Sequence, residues 1–275
     1  MLASLIVGLP ASVSAQDKGD TTETSPPPDD WVDWMMRRSW ATGPARPFVA
    51  TTLDIGYLYL RPRASFGYGK PFTSFVAIDV NPIISQSAYG GYGGLRLTLP
   101  FLTWRGGVRY SASFTRAYLD PKVTYDRLDF DVTTNAKAHV VTWETELEGA
   151  VPLGPGEITA LASLSYVTNV PDDKFVFEET LRVIVDPPWV WRARGGYVVR
   201  FGSRDQHSAG LVVDAIGVPG RDKVTLRFGP IIRIVLSRRV EVRGSFVGTV
   251  SSPDEIGLDG ADFTELGLRY RWATE

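Results

Sequence analysis

From Phe48 to the C-terminus, apolar and polar residues alternate along this chain with a period of two. Thr51, Leu53, Ile55, Tyr57 and Tyr59 fall on one parity, and Thr52, Asp54, Gly56 and Leu58 on the other. Val108, Tyr110, Ala112 and Phe114 oppose Arg109, Ser111, Ser113 and Thr115; Val141, Trp143, Thr145 and Leu147 oppose Thr142, Glu144, Glu146 and Glu148. Trp191, Ala193, Tyr197 and Val199 oppose Arg192, Arg194 and Arg200, while Leu226, Phe228, Ile232 and Ile234 oppose Arg227 and Arg233. Successive side chains of a β-strand point to opposite faces, so this is strand periodicity. No stretch of comparable length has the period of a helix. The pattern predicts about twelve strands, with ten to fourteen open, near residues 50–60, 72–81, 88–99, 102–116, 138–151, 157–168, 175–185, 189–201, 207–217, 223–236, 240–250 and 263–272. Turn chemistry in "VPLGPGE", "VDPPW", "FGSRDQ", "GVPGRD" and "LSRR" separates many of them, and the two longer gaps, "YLDPKVTYDRLDFDVTTNAK" and "SSPDEIGLDGAD", are acidic. "VPLGPGE" and "LSRR" both read as turns of the short-loop side, yet this count gives them opposite parity. One strand between 152 and 237 is therefore miscounted, with 170–190 the place to look.

The polar face is charged on strand after strand. Arg96, Arg105, Arg109, Arg192, Arg194, Arg200, Arg227, Arg233, Arg243, Arg269 and Arg271 share it with Asp54, Asp79, Glu144, Glu146, Glu148, Asp214, Glu241 and Glu265. A soluble barrel has no need of so many arginines at strand centres. In a membrane barrel the charged face points inward and pairs across a lumen while the apolar face meets lipid. Aromatics gather near strand ends (Tyr57, Tyr59, Tyr110, Phe114, Trp189, Phe201, Tyr270 and Trp272), as interfacial girdles do. The strands have about the length of a tilted crossing, ~9–11 residues. Glycines inside strands, as in "YGGYGG", would let a tyrosine ring lie on bare backbone. Every backbone group in hydrocarbon must be paired, so a spanning sheet closes on itself. The expected fold is all-β, a closed antiparallel transmembrane β-barrel; the competing reading is a soluble barrel with the faces exchanged.

The chain ends "FTELGLRYRWATE". Glu265, Gly267, Tyr270 and Trp272 follow a pattern of polar residue, glycine, hydrophobic or aromatic residue, and final aromatic. This strand resembles the C-terminal β-signal of bacterial outer-membrane β-barrel proteins, with the trailing "ATE" as a departure. The resemblance covers the architecture of residues 48–272 and singles out no subfamily. It implies insertion into the outer membrane of a Gram-negative bacterium, with outer-membrane lipids as surroundings and the β-barrel assembly machinery as a partner during biogenesis. The N-terminus, "MLASLIVGLPASVSAQD", carries an apolar run ending in small residues, as a signal peptide does, although no Lys or Arg precedes the run. The expected division is a signal peptide over 1–15, its start truncated; a polar, proline-rich linker with a short Trp/Met-rich segment over 16–46; and the barrel over 47–275.

Composition narrows the chemistry. A net charge of -2 makes no case for nucleic acid, and the absence of cysteine excludes disulfides and thiolate metal sites. No segment approaches the ~20 apolar residues of a membrane-spanning helix. No metal or other cofactor is expected. His139 and His207 are the two histidines. His207 has Ser208 beside it and Asp205 two before it, but neighbours on a strand face opposite ways, so the protein is not expected to be an enzyme. A rim-located hydrolase is the exception to test. Asp254, Glu255, Asp259 and Asp262 read as solvated loop charges. The lumen is what remains: Arg105, Arg109, Glu144, Glu146, Glu148, Arg192, Arg194, Arg200, Arg227, Arg233, Arg243, Arg269 and Arg271 are its candidate charges. Their surplus of arginine points to a small, anion-preferring pore. A closed structural or surface-binding barrel is the alternative.

Overall fold

The computed structural model describes residues 44–57, 59–130, 135–202, 205–237, 239–263 and 266–274. The signal-peptide segment, nearly all of the 16–46 linker, and Glu265 lie outside the described residues. Strands run in the order β1 (Arg46–Gly56), β2 (Tyr59–Lys70), β3 (Ser74–Ser85), β4 (Ala88–Leu99), β5 (Leu102–Ala117), β6 (Lys137–Leu153) and β7 (Gly156–Thr168). A short hairpin follows, β8 (Val176–Glu178) with β9 (Val183–Val185). Then come β10 (Trp189–Phe201), β11 (His207–Gly217), β12 (Thr225–Val235), β13 (Val240–Ser245), β14 (Gly248–Ser251) and β15 (Gly267–Ala273). β13 and β14 pair in succession along β12, so they are two halves of one wall strand. With β8 and β9 set apart, the wall has twelve antiparallel strands, closed where β11 meets β12 and β1 meets β15.

The total of twelve matches the sequence pattern, but two strands are exchanged within it. β2 is a full strand that the pattern merges into its neighbours, because the β1–β2 turn is only two residues long. Segment 175–185 is no wall strand: it turns back at Glu179–Arg182 to make the β8–β9 hairpin. Removing it corrects the parity conflict. "VPLGPGE" and "LSRR" now lie at the same end of the barrel, with the short connections 71–73, 100–101 and 202–206 and both ends of the wall. The opposite end carries the long connections 118–136, 169–188 and 252–266. Short turns on the periplasmic side and long loops outside are the outer-membrane arrangement.

The alternation becomes a division between lipid and lumen. Leu95, Leu97, Leu147, Leu211, Val213, Leu226, Phe228 and Leu268 all stand exposed on the outer face. Full burial of one such side chain is worth roughly 1.5–3 kcal/mol over leaving it in water, so a belt of them around the whole wall is stable only against hydrocarbon. The inner face holds Asp54, Asp79, Arg109, Asp214, Arg227 and Glu241, all buried. Tyr59 is a correction to the expected girdle. The tight β1–β2 turn shifts its parity, and its ring lies in the lumen under Arg61, whose guanidinium carbon is 4.6 Å from the ring centre. The "YGGYGG" segment works on the inner face: the Tyr92 ring occupies the space over Gly94 and Gly107 where side chains would be. Gly267 is fixed by packing, since a Cβ there would collide with the Ile55 carbonyl of β1 across the closing seam.

Candidate functional site

The long-loop end of the lumen is dry, and toward the short-turn end one side of its arginine-rich wall becomes wet. The outer half is filled by the chain's own loops. All six strand residues of the β8–β9 hairpin are buried. Val176, Leu181, Val183 and Val185 pack with Ala138, Val140, Val167, Val190 and Ile216 from the inner faces of β6, β7, β10 and β11. Phe177 and Ile184 pack instead with Leu119, Tyr125, Phe130 and Ile256 from the two other long loops. Composition does not distinguish this hairpin from a membrane strand, because both are rich in β-branched and aromatic residues.

Wall arginines seat the hairpin: Arg116 of β5 lies over the Phe177 ring at 4.8 Å and faces Glu179 at 3.9 Å, and Arg109 and Arg227 reach its turn. Arg109 of β5 holds Glu144 on the neighbouring strand, with Nε and Nη2 at 3.0 and 2.8 Å from one carboxylate oxygen. Its Nη1 reaches the plug, donating to Glu178 and to the Thr180 hydroxyl, the latter at 2.6 Å. Arg227 of β12 is 1% exposed and donates to the carbonyls of Leu181 and Arg182 at 2.8 and 2.9 Å. Asp214, fully buried, faces Arg227 at 3.7 Å and also takes Arg192 and Arg194. Buried charges persist only when paired and hydrogen-bonded, and these are.

The acidic loop departs from the solvated role its sequence suggested. Asp254 and Asp262 are buried, and each takes arginine partners: Arg221 for Asp254, Arg192 and Arg194 for Asp262. Asp259 gathers Arg116 and Arg182, each at 3.4 Å. Arg221 also donates to the Lys122 carbonyl at 2.8 Å, and the Tyr125 amide donates to Asp254 at 3.1 Å, so loops 118–136 and 252–266 are latched together. Burial raises the Asp254 carboxyl above the ordinary carboxylate range, although Arg221 pulls it the other way. Sequence reasoning missed this latch because its partners are more than thirty residues apart and no local pattern joins them.

Toward the short-turn end the wall formed by β5, β6, β10 and β12 becomes wet, whereas the inner face of β1, β3 and β15 there is dry, with Phe48, Ala50, Phe75, Ala77 and Ala273 packed into a buried apolar cluster. Along β5 the side-chain exposure rises from 5% at Arg109 to 31% at Arg105, and along β12 from 1% at Arg227 to 20% at Arg233. β10 follows the same course from Arg192 and Arg194 to Arg200, and Glu146 and Glu148 continue it on β6. Here Arg105 pairs with Glu146, and Arg200 with Glu157. Glu241 receives Arg233, Arg243 and Arg271, at 2.9, 3.3 and 2.9 Å. Nearer the other end, beside the β1–β2 turn, Asp54 receives Arg269 and Arg61. All thirteen candidate lumen charges thus lie on the inner face. Arg61 and Arg63, which the sequence reading left out, lie there too, on the unrecognised strand β2. Of the assembly-signal positions, Gly267 sits at the seam and Tyr270 on the lipid face, with Trp272 beside the β1 strand at Thr51.

The histidines are apart from all this. His207 sits at the short-turn end, accepting from the Val235 amide at 3.2 Å, with Ser208 on the opposite face. His139 meets the Tyr110 hydroxyl at 3.1 Å. Among the described residues, neither has a carboxylate partner.

The fold and its two faces define the class: this chain is a closed, membrane-spanning antiparallel β-barrel of twelve strands. No protein-family model and no curated protein matches the sequence. Among solved structures, it is similar to OmpT (in-vitro folded), an outer membrane protein of Vibrio cholerae, at 10% identity and a TM-score of 0.36, over 83% of this chain and 97% of that one. It is similar also to the loop L8 deletion mutant of that protein, at 8% identity and a TM-score of 0.35, over 83% and 98%.

Proposed function

We propose that the protein is a gated barrel, closed at rest by the β8–β9 hairpin, whose arginine-rich lumen passes small anions when the hairpin withdraws. The observation that carries this reading is the seating of a separate, short hairpin on lumen arginines, Arg109 and Arg227 among them. The hairpin is a connection between β7 and β10, not part of the wall, so its departure would leave the wall's hydrogen bonds intact. Arginine rings attract anions in a confined path.

The test is conductance in planar bilayers. Wild-type protein is expected to show rare, brief openings. A variant with residues 171–187 replaced by a short Gly/Ser linker is expected to conduct steadily, with a reversal potential under a salt gradient that indicates anion preference. Cation preference, or no conductance from a variant that still shows the heat-dependent gel shift of a folded barrel, would overturn it. The second outcome would favour a permanently closed surface barrel, the reading to which the Arg221–Asp254 latch between two further loops lends weight.

A further inference from the structure

Two carboxylates stand side by side at the turn of the β8–β9 hairpin, and they are partnered unequally. Glu178 takes Arg109 and the Leu181 amide, the latter at 2.6 Å. Glu179 has a side chain only 17% exposed, and its Oε1 is buried with no hydrogen-bond partner among the described residues. Nε of Arg116, on β5, faces that oxygen at 3.9 Å, which is too far for a hydrogen bond, and is itself buried without a partner. The Arg116 guanidinium is engaged elsewhere. It lies over the Phe130 and Phe177 rings, at 4.2 and 4.8 Å from their centres, and meets Asp259 of the outer loop at 3.4 Å.

The remaining surroundings leave that oxygen without a donor. A cavity of about 20 Å³, the size of one water, adjoins Glu178 and Glu179 and is lined from β5 by Ser111 and Ser113. β4 and β6 present Ala88, Ala138 and Val140 there, none of them charged. Burial raises the Glu179 carboxyl above its ordinary range, and the charge of Glu178 acts in the same direction. The Ser87 hydroxyl of the β3–β4 turn, Arg116 and Arg182 act against it. A buried carboxylate with an oxygen left unpaired is costly, whereas the protonated acid has no charge to desolvate.

We infer that the hairpin is under proton control: protonation of Glu179 holds it in the lumen, and ionisation of Glu179 loosens it. The proton exchanges with solvent, and no other chemistry is required. This rests on the reading that the hairpin can leave its seat, where the carboxyl returns to water and to its ordinary value. The seated form therefore binds the proton more tightly than the withdrawn form. Seating is strongest below the ordinary value and weakens as pH rises through the raised one.

Amide exchange of the folded, detergent-solubilised protein tests this without any channel recording. After correction for the intrinsic pH dependence of exchange, the Leu181 and Arg182 amides of wild type should exchange at least about threefold faster at about pH 8 than at about pH 4. Asp254 in the loop latch shifts in the same direction, so the comparison that decides is wild type against Glu179→Gln. Glutamine is the neutral isostere, and Arg116 keeps Asp259, so no cation is stranded. The variant should match wild type in acid and stay better protected at the alkaline end, with no difference in the β10–β11 ladder at either pH. Equal pH dependence at 181 and 182 in the two proteins overturns the proposal, as does a wild-type hairpin that loosens in acid. If Glu179→Gln does not fold, Glu179→Ala serves, because it also removes the titrating group and should flatten the same pH dependence. A barrel that never conducts, yet shows this difference in exchange, would refute the gate and leave proton control standing. A barrel that conducts without the difference would do the reverse.

Discussion

Replacing Arg227 with methionine should loosen the hairpin without opening the wall. Methionine fills much of the same volume, so the change removes charge and donors more than packing. The native guanidinium donates to Leu181 and Arg182, at 2.8 and 2.9 Å, from a position 1% exposed. Its loss leaves two carbonyls without their donor, at about 1–3 kcal/mol each. Part of that is offset, because a buried guanidinium no longer has to be desolvated. Asp214 keeps Arg192 and Arg194, so no buried charge is stranded. A net destabilisation of the seated hairpin of about 2–3 kcal/mol is expected, which is roughly a 30- to 150-fold rise in its open population. Amide exchange reads this directly. The amides of Leu181 and Arg182, which bond to the Glu178 side chain and carbonyl, should exchange faster by about that factor. Amides in the β10–β11 ladder should not change. Unaltered exchange at 181 and 182, or equal acceleration throughout the wall, would refute the reasoning that Arg227 holds the hairpin and not the barrel.

Three further outcomes are expected. Phe228→Arg places a charge on the lipid face and should cost roughly 2–4 kcal/mol at mid-membrane, seen as loss of inserted, heat-modifiable protein; normal insertion would count against a lipid-facing Phe228. Asp254 has its carboxyl raised above the ordinary value of 3.8, so the folded latch binds its proton more tightly than the unfolded chain does. This group's contribution is therefore full below the ordinary value and falls as pH rises through the raised one. The difference between wild type and Asp254→Asn in protease resistance of loop 118–136 should change with pH only in that window, and a flat difference would contradict the burial argument. Tyr270→Ser combined with Trp272→Ser should lower the amount of inserted barrel more than it alters any conductance per molecule; full insertion would mean that the last strand is not an assembly signal.

The wall was legible because the lipid imposes one rule on every strand. Leu226, Phe228 and Ile232 alternate with Arg227 and Arg233 whatever lies elsewhere in the chain, and period two reveals both faces. The plug obeys no such rule. Val176, Phe177, Ile184 and Val185 are buried on every side, so the segment has a strand's composition without a strand's alternation, and only tertiary contact shows that it folds inward. β2 was hidden for a different reason. Its two-residue turn offers no break in "GYLYLRPR", and with the strand went Arg61 and Arg63. The acidic loop misled because its arginine partners come from β5, β10 and two other loops. Composition shows that charges exist, whereas pairing depends on which loops meet.

Lipid surrounds the barrel, the plug fills its long-loop end, and water reaches the short-turn end along β5, β6, β10 and β12. Three single cysteines on β6 test it in one labelling experiment, since the native chain has none. Glu148→Cys, on the inner face near the short-turn end, should react with a membrane-impermeant thiol reagent. Leu147→Cys, its outward neighbour, should react only with a lipid-phase probe. Thr142→Cys, on the inner face and 1% exposed in the native chain, should react with neither until the 171–187 hairpin is removed. Aqueous labelling at Leu147→Cys together with protection at Glu148→Cys would exchange the two faces and rule out a lipid-facing Leu147.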